Sequence, residues 1–232
     1  MKIRIKFKKT GIMRYIGHLD VMRYFQKANR RAGVDIAYSA GFSPHQLMSF
    51  ASPLGLGLTS EGEYLDMEVH SSGSSVSMVK RMNEVMAEGM EVLAFIKLPD
   101  QAKAAMASVA AADYILVPER RLLEDLKETA EGFFSRESIP VWKKTKKSEK
   151  EVDIRPFIYE WRMEDEGLFV KLASGSADNL KPELLLEAWF GHMGKEYEPD
   201  CFLIHRLELY AREGGREEGR LLPLSAFGEE IL

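Results

Sequence analysis

Met1-Lys2-Ile3-Arg4-Ile5-Lys6-Phe7-Lys8 alternates charged and apolar side chains along its whole length. A period of two is that of a β-strand with unlike faces. The stretch lacks the unbroken apolar core of a secretion signal, so it reads as a strand over 2–9. Outward from it, residues 18–32 switch to helical spacing and stop before Gly33. Segments near 35–39 and 47–58 are extended and rich in turn residues, and Glu63 to His70 alternates again. Ser75 to Ala87 carries Val76, Val79, Met82, Val85 and Met86 at helical spacing and closes at Gly89. Glu91 to Ile96 is a strand stopped by Pro99. The order is β-α-β-β-α-β, the split βαβ pattern.

Past a linker at 100–109 the order recurs. Asp113 to Val117 reads as a strand, Pro118 to Ala130 as a helix opened by proline, and Ile139 to Lys147 as a strand. Val152 to Ala173 reads as a long hairpin around Asp165-Glu166-Gly167, Pro182 to Phe190 as a helix and Phe202 to Tyr210 as a closing strand. The expected fold is α+β, with two tandem ferredoxin-like (βαββαβ) halves and antiparallel sheets. Residues 1–99 form the first half, 100–109 the linker and 110–232 the second half.

The 232 residues carry a net charge of −4 and a single cysteine, Cys201. One cysteine excludes an intramolecular disulfide and an iron–sulfur cluster held by this chain alone. It suits a reducing compartment, and its apolar setting reads as a buried structural thiol. The longest apolar runs fall short of the ~18 residues that span a bilayer. The five histidines (His18, His45, His70, His192 and His205) show no metal-ligand spacing. These features describe a cytoplasmic protein with no membrane partner and no cofactor of its own. Charge is unevenly spread: residues 1–50 hold ten Lys/Arg against Asp20 and Asp35, a local +8 that leaves −12 for the remainder. Such asymmetry points to an anionic partner on one face.

Within that basic segment Arg23, Lys27, Arg30 and Arg31 stand at i, i+4, i+7 and i+8 of the 18–32 helix and share a face. A solvated helix face usually mixes signs, whereas here Asp20 is the only nearby anion. His18 falls nearer the apolar side, as a core or helix-start residue or as a candidate catalyst. The run from Tyr38 to Gly57 then mixes glycines, two prolines, hydroxyls, His45 and aromatics such as Tyr38, Phe42 and Phe50. Glycines admit close backbone approach and aromatics offer stacking faces to unpaired bases, although packing into the core would also use them. Lys143-Lys144-Thr145-Lys146-Lys147-Ser148-Glu149-Lys150 is a second basic patch, either a solvated hairpin tip or a contact surface.

Gly11-Ile12-Met13-Arg14-Tyr15-Ile16-Gly17-His18-Leu19-Asp20, Arg30-Arg31-Ala32, Tyr38 through His45, Phe50-Ala51-Ser52-Pro53-Leu54-Gly55 and Glu63-Tyr64-Leu65-Asp66 together resemble the radical-SAM-associated domain family of unknown function. Val152-Asp153-Ile154-Arg155-Pro156 and the Gly175 to Leu186 stretch resemble it more loosely. The resemblance implies an accessory protein, found separate from or fused behind a radical SAM enzyme. No activity of the domain itself comes with the resemblance. S-adenosylmethionine and the iron–sulfur cluster are then expected only on the partner enzyme, because this chain lacks the three clustered cysteines of a radical SAM core.

Three functions are compatible with these residues. The first is an RNA-binding accessory, for ribosomal or transfer RNA, with phosphate contacts from Arg14, Arg23, Lys27, Arg30, Arg31, Lys143, Lys144, Lys146 and Lys147. Base contacts would come from Tyr38, Phe42, His45 and Phe50. The second is a metal-independent RNA-processing endonuclease of tandem ferredoxin-like type, with His18 or His45 as acid–base candidates. The third is a protein-docking platform that takes no nucleic acid. Whether His18 and His45 share a site is open at this level.

Overall fold

A computed structural model describes residues 1–144, 149–176, 178–214 and 219–232. In chain order the elements are β1 (Lys2–Lys9), α1 (His18–Arg31), β2 (Met48–Phe50), β3 (Thr59–Glu68), α2 (Ser75–Asn83), β4 (Met90–Lys97) and α3 (Ala105–Ser108). They continue as β5 (Val109–Pro118), α4 (Leu123–Phe134), β6 (Pro140–Lys144), β7 (Glu149–Asp153), β8 (Ile158–Met163) and β9 (Leu168–Ala173). The last are α5 (Pro182–His192), β10 (Phe202–Glu213), β11 (Arg220–Pro223) and β12 (Glu229–Glu230). The fold is mixed α+β; among the described residues ten strands make a mostly antiparallel sheet, and β6 pairs with β7 separately. Two compact units are distinguished, Met1–Ala110 with Arg206–Leu232, and Ala111–His205. Among the described residues no helix is long and apolar enough to cross a membrane.

In the first unit β1 lies between β3 and β4, antiparallel to both, and β2 pairs with β3. Ile3 and Ile5 pair with Met67 and Leu65 on one side and with Lys97 and Phe95 on the other. The apolar half of the alternation, Ile3, Ile5 and Phe7, is buried beneath α1 and α2 with Phe25, Leu65, Met78, Met82 and Phe95. α1 contributes Val21, Phe25 and Ala28 and ends where the spacing predicts. Gly33 takes φ +61, and Val34 N–H donates to the Asn29 carbonyl at 2.9 Å, a Schellman closure that needs the left-handed glycine. Gly62 is required for another reason: a Cβ there would lie 2.5 Å from Glu208 Cα on the neighbouring β10.

The other half of the alternation is not solvent-facing, as a two-faced strand would have it. Arg4 is 2 % exposed. Its Nε and Nη2 donate to the two Asp66 oxygens at 2.7 and 2.9 Å, and Nη1 donates to the Leu224 carbonyl at 3.0 Å. Asp66 also accepts from Ala105 N–H at 2.7 Å. Lys6 pairs with Glu208 at 2.7 Å, and Arg206 pairs with Glu63 at 2.9 Å with both side chains buried. Covering the outer face of β1 thus takes carboxylates from β3 and β10 and backbone carbonyls from far along the chain.

In the second unit β5, β9 and β8 lie in that order, antiparallel, with Leu116 opposite Leu168 and Met163 opposite Leu168. α4 and α5 supply Phe133, Phe134 and Trp189, whose rings stack or meet edge-on within 5.9 Å. Two expectations shift here. The helix placed over 118–130 begins at Leu123, after a 3-10 turn at Arg120–Leu122, because Pro118 ends β5 instead; buried Phe133 and Phe134 carry the helix further. The hairpin placed over 152–173 is confined to β8–β9, since a 3-10 turn at Arg155–Phe157 containing Pro156 diverts the chain, and Glu149–Asp153 pairs with β6.

The two kinds of ion pair on β1 separate in stability. Asp66→Ala leaves a buried, unpaired Arg4 and is expected to lower the free energy of unfolding by about 3–5 kcal/mol. Glu91→Ala, which frees half-buried Lys8 from a 3.6 Å pair with that exposed carboxylate, is expected to cost no more than about 1 kcal/mol. Urea unfolding of both variants checks this; equal losses would show that the Arg4 pair is not what covers the sheet.

Candidate functional site

The internal pairing of β1 decides which cations remain available. Of the ten in residues 1–50, Arg4, Lys6 and Lys8 are paired with Asp66, Glu208 and Glu91. Lys9 is buried and donates to the Ile16 carbonyl at 3.1 Å. Burial pushes its pKa down, opposed by the Glu63 carboxylate and aided by Arg206. Lys2 donates to the Asp100 carbonyl. The local +8 is therefore not a surface field. What stays exposed is the α1 face of Arg23, Lys27, Arg30 and Arg31.

On that face Arg23 makes an exposed 3.4 Å pair with Asp20, and Arg30 Nε donates to the Gln26 carbonyl of its own helix. Among the described residues no carboxylate pairs with Lys27, Arg30 or Arg31. Arg14 is half-buried in the 3-10 turn Gly11–Tyr15, its guanidinium 4.7 Å from the Tyr15 ring centre.

The segment from Tyr38 to His45 folds back on itself. Ser39 N–H donates to the His45 carbonyl at 2.9 Å, His45 N–H donates to Ser39 Oγ at 3.1 Å, and Ser39 Oγ lies 2.9 Å from His45 Nδ1. Phe42 is fully exposed and Tyr38 is 48 % exposed, so both rings offer faces to solvent. Phe50 does not: it is a core residue in edge contact with Phe7, Phe25 and His18. His18 opens α1 with its ring 5.2 Å from that of Phe50.

Gln46 ties this loop to the helix, and sequence reasoning did not single it out. It is buried; its Nε2 donates to the Gln26 carbonyl at 3.0 Å and its Oε1 accepts from Asn29 Nδ2 at 3.1 Å. Tyr38 Oη lies 3.5 Å from the same Nε2. A local signal existed: Asn29 follows Phe25 by four residues on the apolar side of α1, where a polar side chain needs a partner. The clamp places His45 beside the Gln26–Asn29 turns. His18 is eight residues before Gln26, about 12 Å along the helix axis at 1.5 Å per residue. The two histidines therefore hold separate contacts, one on Phe50 and one on Ser39.

Lys143 and Lys144 lie at the end of β6, where Lys143 is opposite Lys150. Lys146 and Lys147 fall outside the described residues. Among the described residues no group of three or more His, Cys, Asp or Glu side chains is placed to hold a metal ion. A cavity of about 320 Å³ beside β2, lined by Lys2, Met48, Asp66 and Lys103, has its carboxylate already engaged by Arg4.

Gln46→Ala removes the clamp and leaves Asn29 without its buried acceptor. The expected cost is about 1–3 kcal/mol, with faster amide exchange confined to residues 38–46. Hydrogen-exchange mass spectrometry checks this. Unchanged exchange there would mean the loop is held by its own Ser39–His45 contacts.

The family model described as "Uncharacterized protein conserved in bacteria (DUF2344)" matches residues 2–182. No curated protein matches the chain. The matched span takes in α1, the Tyr38–His45 loop, Asp66 of β3 that pairs with Arg4, and the β6–β7 pair. On a match covering most of its length, the chain belongs to this bacterial family.

Proposed function

We propose that the chain is a binding module for RNA with unpaired bases, and that its exposed α1 face carries the phosphates. The observation behind this is a contrast within one segment. Arg4, Lys6 and Lys8 of β1 are ion-paired and Lys2 and Lys9 donate to backbone carbonyls, whereas Lys27, Arg30 and Arg31 stand in solvent with no carboxylate paired to them among the described residues. A single-sign helix face suits an anionic polymer. Beside it the clamped loop holds Tyr38 and Phe42 outward, and exposed rings give unpaired bases a stacking surface that a duplex cannot use. His45 and Arg14 are further contacts in this reading, on the strength of the sequence. The lysines at 143, 144, 146 and 147 are a second phosphate contact in this reading, on the strength of the sequence.

The partner in this reading is a radical SAM enzyme, which supplies the S-adenosylmethionine chemistry and its cluster; that part rests on the sequence resemblance. The RNA would be ribosomal or transfer RNA, presented for modification or maturation, and this chain would contribute no catalytic step. The ferredoxin-like description of the fold belongs here as well. It is supported in the first unit by the order β4-β1-β3-β2, in which two βα crossovers are each split by an inserted antiparallel strand.

Fluorescence anisotropy with a labelled single-stranded RNA, a duplex of the same sequence, and a salt series tests the reading. Three or four phosphate contacts predict a log–log salt slope of roughly −2 to −3 for a single strand. The quadruple variant Arg23→Glu, Lys27→Glu, Arg30→Glu, Arg31→Glu is expected to lose binding. Phe42→Ala is expected to weaken single-strand binding by about 1–3 kcal/mol, roughly 5- to 150-fold, with the slope unchanged. No binding by folded wild-type protein would overturn the proposal. RNA shortened during incubation would transfer the case to the endonuclease reading, with His18→Ala and His45→Ala as the variants to follow.

A further inference from the structure

Four large apolar side chains stand in solvent at the N-terminal end of α1. Ile12 is 78 % exposed, Tyr15 63 %, Leu19 61 % and Leu56 66 %. Ile12 and Tyr15 are three apart in the 3-10 turn Gly11–Tyr15, where side chains at that spacing eclipse. Leu19 follows in the first turn of α1, and Leu56 is brought alongside because Gly57 N–H donates to the Arg14 carbonyl at 2.9 Å. The residues between them go inward: Met13 and Ile16 pack on the core. The core has thus taken its share from this segment, and a second apolar set faces out.

The corner is also held rigid. The buried Lys9 ammonium donates to the Ile16 carbonyl, Thr10 N–H donates to the Gly89 carbonyl at 2.8 Å, and Arg14 lies over the Tyr15 ring. A loose loop would let such side chains fold back; a pinned one holds them out. Exposed apolar side chains gathered on a preorganised corner are the signature of a docking site.

The chemistry of the patch selects its occupant. Three of the four side chains are aliphatic and have no π face for a base, so the patch does not extend the nucleic-acid surface; it suits apolar protein side chains. Its charged border is cationic. Arg14 sits within it, and Arg23 lies four residues beyond Leu19 on the same side of α1, where it makes an exposed 3.4 Å pair with Asp20. We propose that this corner docks a protein segment presenting apolar side chains flanked by Asp or Glu. Its apolar anchors Ile12, Leu19 and Leu56 are residues that the RNA reading leaves idle, while Arg14 and Arg23 on its border are shared with that reading.

The test is selection of a random peptide library on the full chain, followed by titration of the enriched peptides. The expected result is enrichment of sequences with spaced apolar residues and acidic flanks. These should bind the Ile12→Ser/Leu19→Ser variant about tenfold or more weakly while its unfolding midpoint is unchanged, and bind Lys27→Glu/Arg30→Glu normally. Peptides that bind the first variant as well as wild type, or enrichment of basic sequences, would overturn the proposal. So would failure to enrich any peptide. Capture of anionic phospholipid vesicles, lost in the Ile12→Ser/Leu19→Ser variant, would replace it with a membrane-surface role.

Discussion

The neutralisation of β1 is the constraint on which the rest of the first unit depends. A central strand carrying Lys2, Arg4, Lys6, Lys8 and Lys9 can be covered on both faces only if its cations find partners. The chain supplies them from β3 and β10: Asp66 takes Arg4, Glu208 takes Lys6, and Glu63 takes Arg206 beside Lys9. Tyr64 joins the same arrangement, donating from its hydroxyl to Glu208 at 2.7 Å, and burial together with that carboxylate holds its pKa well above the usual phenol range. The run Glu63-Tyr64-Leu65-Asp66 thus earns its place structurally, with three polar side chains turned to the cations and Leu65 to the core.

That pairing has a functional consequence. A sequence count assigns a broad positive field to the N-terminal residues, but the folded unit withdraws β1 from it and leaves a narrow stripe on α1. The stripe ends in two unlike neighbours. Toward the helix C-terminus lies the loop of Tyr38 and Phe42, fixed by Gln46; toward the N-terminus lies the aliphatic corner fixed by Lys9. A module with a stripe for phosphates, rings for bases and a separate apolar corner for protein would hold an RNA and a partner at once. This is the arrangement that the proposed accessory role needs.

What was legible in the sequence was local. The alternation of 2–9, the helical spacing of 18–32 and its stop at Gly33 are set by periodicity and by one left-handed glycine, and they read directly. The basic stripe followed from the same spacing. What was hidden depends on residues far apart in the chain. Nothing near Arg4 announces Asp66 or the Leu224 carbonyl, so a strand with two buried faces looked like one with a wet face. Pro118 suits a helix start and a strand end equally, and only the burial of Phe133 and Phe134 decides between them. Phe50, grouped with Phe42 by composition, belongs to the core because it follows β2 inward. Ile12 and Leu19 drew no notice, since single apolar residues are uninformative until the fold gathers them.

Photo-crosslinking of a bound single-stranded RNA, with the attached peptides identified by mass spectrometry, tests the central claim most directly. The account predicts adducts on the 38–45 loop and on the α1 peptide bearing Lys27, Arg30 and Arg31, lost when those cations are reversed. Adducts confined to other surfaces, with these two peptides unmodified, would contradict it.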